Sequence, residues 1–246
     1  MRLYDEIIRD ILTFLGEQDA HILPVGAAAD PVSRDWQDAG KAMMILQSDM
    51  AYELGGHNLP AVGNTLVTTG KDFVPEDEII LIGKDLPEIT EDTPYARIAL
   101  VRVAKDSIGT GDRLYNTIRN IGYFRYHIYP KGFMLRVSSS NDRESVRVEA
   151  EALNEGLNFT AIGNAMLRAL HLHKEVEAVR IIFVTDPKVD YGRLQDGLKK
   201  TKQITATIDH MLKDVNMDCG SCGLQEICDE IEGLREMHFG MSEEHI

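Results

Sequence analysis

The chain has 246 residues, 43% hydrophobic and 27% charged, with a formal net charge of −14. That composition is a globular one and excludes disorder, and apolar runs such as "IILIG" and "IIFV" fall far short of the roughly 18–20 residues of a spanning helix. The acidic balance argues against nucleic acid and anionic lipid as partners, because phosphate recognition needs clustered Lys and Arg.

The first predicted element is a helix over residues 3–16, where Leu3, Ile7, Ile8, Ile11, Leu12 and Leu15 recur at spacings of three and four. Asp5, Glu6 and Asp10 interrupt its apolar positions, so it is not a secretory signal and a cytoplasmic location is expected. After "HILPVGAAADPVS", Ser33 is placed to cap a second helix running to Leu54 and stopped by Gly55-Gly56. Three β-branched runs follow, "AVGNTLVTT", "DEIILIG" and "ARIALVRVA", and suggest a mixed or antiparallel sheet. "GTGDRLYNTIRNIG" reads as a helix with Leu114, Ile118 and Ile121 inward, and "YFRYHIYPKGFMLRV" as a hairpin turning at Pro130 and Gly132.

Residues 138–156 read as a further helix ended by Gly156, and "NFTAIGNAMLRALHLH" as another, leading into the strand "VEAVRIIFVTD". Thr185-Asp186-Pro187 then has the pattern of a helix start, opening a long helix lined by Leu194, Leu198, Ile208, Met211, Leu212 and Val215. The expected class is therefore α+β (or α/β), with helices packed on a mixed, largely antiparallel sheet. The expected division is an α+β domain over 1–213 and a C-terminal cysteine-bearing helical module over 214–246.

That module holds all three cysteines, Cys219, Cys222 and Cys228, in a C-x2-C-x5-C pattern. A two-residue gap lets one turn aim two thiolates at one centre, and Cys228 falls near the start of the last helix, whose partial positive charge favours thiolates. Metal or iron–sulfur ligation, a Cys219–Cys222 redox pair and plain buried thiols all fit the pattern. Zinc sites generally use two close pairs and only one is present, so a [4Fe-4S] cluster is favoured over zinc; a cubane takes four ligands, however, and the chain supplies three thiols. Asp218, Asp229, His210 and His238 are the nearby candidates for the fourth, each with an ordinary alternative as a solvated or helix-capping side chain.

Elsewhere the chemical signals are weak. Residues 101–147 carry nine Lys/Arg against four acids, either as solvated edge charges or as a receiver for a small anion. "VGAAADP" and "GTGD" match no phosphate-binding fingerprint, and "HLH" at 171–173 suits a strand better than one helix face. The loop "YELGGHNLPAVGN", with His57 and Asn58, is either a ligand-approaching loop or a helix stop entering a strand.

The tail "MDCGSCGLQEICDEIEGLREMHFG", together with "ELGG", "DEIILIGKDLPE", "GFMLRVSSSNDRESVRVEAEALNEG" and "RIIFVTDPKVDYGRL", resembles the β subunit of the carbon monoxide dehydrogenase/acetyl-CoA synthase complex, from about Glu53 onward. The resemblance implies anaerobic one-carbon metabolism, in which a nickel–iron–sulfur centre joins carbon monoxide, a methyl group and CoA, and it implies the other complex subunits as partners. Catalytic synthases need more cysteines than this chain has, so the resemblance leaves open whether it is a CO-methylating acetyltransferase component or an accessory. By analogy, Arg136, Arg143 and Arg147 are expected to face a CoA phosphate. The alternative is a binding or scaffold module with a structural zinc or a metal-free cysteine site, and a homo-oligomer fits either reading.

Overall fold

The computed structural model describes residues 3–105, 112–138 and 143–213. Its elements in chain order are α1 (Asp5–Gly16), β1 (Ala20–Leu23), α2 (Pro31–Arg34), β2 (Met50–Leu54), β3 (Ala61–Thr68), β4 (Glu78–Ile82), β5 (Tyr95–Val103), α3 (Asp112–Gly122), β6 (Phe133–Ser138), β7 (Arg143–Glu149), α4 (Ala150–Asn154), α5 (Phe159–Leu170), β8 (Val176–Val184) and α6 (Tyr191–Lys213). One sheet has the order β1-β4-β8-β5-β3 and a smaller one the order β2-β7-β6. Only the β3–β5 and β4–β8 pairings are parallel, so the expected mixed, largely antiparallel α+β architecture is present.

The large sheet is covered on both sides, which is why its middle strands are continuous apolar runs: β5 buries every residue but Arg102, and β8 all but Glu177 and Arg180. On one side lie α6 and α1. Asn64 of β3 donates to Thr201 of α6 at 3.1 Å, and Tyr4, just before α1, bonds Thr205 at 3.0 Å. On the other side lie α5 and the small sheet. There Phe159 of α5 stacks on Phe183 of β8 with centroids 4.5 Å apart and meets Phe133 of β6 edge-on at 6.4 Å. One helix thus joins the two sheets through three rings.

Three expected elements differ from those observed. The helix expected over 34–54 is only α2; its cap is Asp30, whose carboxylate accepts from the N–H groups of Val32 and Ser33, and Ser33 lies inside it. The following chain spends its backbone bonds on a distant segment, with Ala39 N–H donating to Tyr129 and Lys131 N–H to Gln37, and Gly40 sits at φ +72°. Residues 50–54 then pair with β7 as a strand, because tertiary pairing outweighs a helical pattern of modest propensity. In place of a hairpin over 123–137, residues 123–126 form a 3-10 turn and β6 pairs with β7. Residues 143–149, expected to be helical, alternate in burial as a strand does; the helix that Gly156 ends at φ +101° is the short α4.

The long C-terminal helix begins at Tyr191, not at the Thr185 turn, and Asp190 accepts from the N–H groups of Gly192 and Arg193 at its start. Thr185 is instead buried, donating to the Lys84 carbonyl at 2.8 Å. Among the described residues no helix is long and apolar enough to cross a membrane. The proposed module from residue 214 lies outside them.

Gly132 makes the turn into β6 at φ +74°, and a Cβ there would lie 2.0 Å from that of Ala152. Gly132→Ala therefore combines left-handed strain with overpacking and is expected to destabilise the fold by about 3 kcal/mol, read as a lowered urea midpoint with an unchanged slope.

Candidate anion-binding site

Strand period puts one set of residues of the small sheet on each face. In the β2-β7-β6 register Glu53 lies opposite Arg147, Arg136 opposite Ser145 and Arg143 opposite Ser138, so Arg136, Arg143, Arg147 and Glu53 share a face. The structure therefore brings together the three arginines singled out in the sequence. Glu53 Oε1 accepts from Arg136 Nη1 at 2.7 Å and from Arg147 Nε at 2.8 Å, and Arg147 Nη1 also donates to the Ile45 carbonyl at 3.0 Å. Arg143 Nη2 donates to three carbonyls, those of Gly55, His57 and Leu59, at 2.8, 3.0 and 2.8 Å.

The His57 loop is thus folded around an arginine. Gly55 at φ +65° and His57 at φ +49° curl its carbonyls inward, and His57 Nδ1 lies 3.3 Å from Asp92 Oδ2. One carboxylate serves two guanidiniums, and the third cation has neutral acceptors; by strand alternation Glu149 shares this face, and Asp92 lies beside it. Arg136 is its outermost member, 45% exposed against 26% for Arg147.

The next residue along β7 points the other way. Glu144 is buried and accepts Arg97 Nε at 2.5 Å and Nη2 at 2.7 Å, a bidentate pair with both side chains almost fully out of solvent. Gly63, opposite Arg97 on β3, leaves the space: a Cβ there would lie 2.1 Å from a Glu144 carboxylate oxygen. Burial disfavours the Arg97 charge, but the adjacent Glu144 charge and its hydrogen bonds outweigh that cost and hold the guanidinium above the ordinary arginine value. Tyr95 is pushed well above the usual phenol range, by burial first and then by Glu144. The Phe124 ring lies 5.1 Å from the Arg97 guanidinium carbon, closing the pair on that side.

Glu53, Arg97 and Glu144 were not marked by the sequence reading. Arg97 is a charge flanked by apolar residues in the middle of a strand, a readable sign of a buried partner; Glu144 was hidden by the helical reading of its segment. Of the cysteine-centre residues, Cys219, Cys222, Cys228, Asp218, Asp229 and His238 lie outside the described residues, whereas His210 is half-buried on α6. Among the described residues no group of three or more His, Cys, Asp or Glu is disposed to hold a metal ion. "HLH" is the turn that follows α5 and not a strand, with His171 Nε2 2.8 Å from Asp77 Oδ2.

These features define an α+β protein with a basic sheet face backed by a buried ion pair. Residues 37–189, more than half of the chain, match the family described as the CO dehydrogenase/acetyl-CoA synthase complex beta subunit, and the chain belongs to that family. The matched span holds the whole arginine face and the Arg97–Glu144 pair, and it ends before Cys219. No curated protein matches the chain significantly.

Removing the Glu144 charge alone strands a buried guanidinium. Glu144→Gln is expected to cost about 3–5 kcal/mol by urea unfolding, and Arg97→Met with Glu144→Leu to recover most of it.

Proposed function

We propose that the chain works in CO dehydrogenase/acetyl-CoA synthase one-carbon metabolism as an iron–sulfur subunit whose arginine face receives the phosphates of CoA. The supporting observation is that the family match encloses the complete set of Arg136, Arg143, Arg147 and Glu53. Arg136 is the outer contact, since a guanidinium fork matches phosphate geometry and its side chain is the more exposed. Arg147 is held by Glu53 and the Ile45 carbonyl, and Arg143 by the 55–59 loop, so both add charge at fixed positions. The other members of the complex are the proposed partners.

The donor set for the metal centre is Cys219, Cys222 and Cys228. Its chemistry fits a [4Fe-4S] cluster with one iron not bound by cysteine, which supplies an open coordination position. The same three thiolates with one further ligand also fit a structural zinc, which belongs to a scaffold reading.

Full-length protein purified without oxygen is expected to carry about four iron and four acid-labile sulfide per chain, lost on Cys222→Ser; one zinc per chain with no sulfide would establish the scaffold reading instead. In calorimetry the same protein is expected to bind CoA, with Arg136→Gln weakening it about tenfold, the worth of a charge-assisted hydrogen bond. Absence of any CoA heat would remove the phosphate role of the arginine face.

A further inference from the structure

A second basic feature lies beyond the Arg97–Glu144 pair, in a cavity of about 330 Å³ bounded by β3, α3, the 123–126 turn and α6. Arg119, Arg125 and Lys202 line it, with Asp209 as the acid among its lining residues. This set is separate from the arginine face, because its link to β7 is Glu144, which points to the opposite side of the strand.

Arg125 is under-compensated where it stands. Its Nη1 is 3.7 Å from Glu144 Oε2, but that carboxylate is already held bidentately by Arg97 at 2.5 and 2.7 Å. Its Nε is buried and has no hydrogen-bond partner among the described residues, and a buried unmatched donor costs about 1–3 kcal/mol. Lys202 sits in the same field: burial first, then the Arg125 charge, lowers its pKa below the ordinary lysine value. An anion placed in the cavity would take up the unmatched Arg125 Nε donor.

Arg119 completes the set. Its Nε donates to Tyr123 Oη at 2.8 Å, and its guanidinium carbon lies 5.2 Å from the Tyr123 ring centre and 5.8 Å from that of Tyr115, so two rings orient it. Among the described lining residues Arg119, Arg125 and Lys202 outnumber Asp209, in a chain of net charge −14. The volume exceeds what a bare phosphate fills, and Ile118 and Leu198 give the remainder an apolar wall.

We infer that this cavity is a second anion site, taking the phosphate of a small phosphorylated molecule between Arg125, Lys202 and Arg119 with its organic part against Ile118 and Leu198. The arrangement does not depend on the CoA reading or on the cysteine centre.

The test is calorimetric titration of the full chain with inorganic phosphate at low ionic strength, against chloride at matched ionic strength. Saturable binding is expected, weakened about tenfold or more by Lys202→Gln and by Arg119→Gln and retained within about threefold by Lys202→Arg. Circular dichroism confirms that each variant is folded, and the Lys202→Arg result separates loss of charge from loss of structure. No saturable heat, equal affinity in Lys202→Gln, or loss of binding in Arg136→Gln would each overturn the site, the last by moving phosphate to the arginine face. The CoA reading is carried by Arg136→Gln and the cavity by Lys202→Gln and Arg119→Gln, so the failure of one set of variants is distinguishable from the failure of the other.

Discussion

The bidentate contact between Arg97 and Glu144 is the constraint around which the rest of the molecule is arranged. It joins the middle of the large sheet to β7 of the small one, and it is possible only because Gly63 has no side chain where the carboxylate lies. A buried ion pair gives little net stability compared with an apolar pair of similar volume, but a mispaired one is severely penalised. Its value is therefore in register. Sliding β7 by one residue would send Arg143, Arg147 or Arg136's partner face into the core and turn Val146 and Val148 outward. The arginine face exists because the carboxylate behind it holds the strand in phase.

The two basic features are consequences of that same alternation. On the outside, Glu53 gathers Arg136 and Arg147, and the 55–59 carbonyls gather Arg143. Inside, Glu144 satisfies Arg97 and has little left for Arg125. A strongly acidic protein can in this way keep two local regions positive, since desolvated charges are screened far less than those on the surface.

Much of the fold was legible where local and tertiary signals agreed. The stripe of Ile7, Ile8, Ile11 and Leu15, the inward Leu114, Ile118 and Ile121, and the apolar runs of β3, β4, β5 and β8 all gave the correct element type. The failures share a cause. Residues 34–54 and 143–149 contain good helix formers, and their strand or loop state is imposed by partners far along the chain, such as Tyr129 and the β6–β7 pairing. For the site, an excess of Lys and Arg over 101–147 was visible as composition, and the family resemblance singled out Arg136, Arg143 and Arg147 within it. Glu53 could not be found that way, because it lay in a segment read as a helix and joins the arginines only through strand register.

The middle seam of the large sheet has a bearing on how the protein is made. Ile98 of β5 pairs with Ile182 of β8, so nothing can occupy the far side of β5 until the ribosome has released almost all of the described chain. Until then β3 and β5 form a parallel apolar ribbon whose β5 border is naked and open to unwanted association. The newborn polypeptide is therefore exposed until a late strand arrives, and heterologous production should favour a low expression level, at which fewer waiting ribbons meet one another.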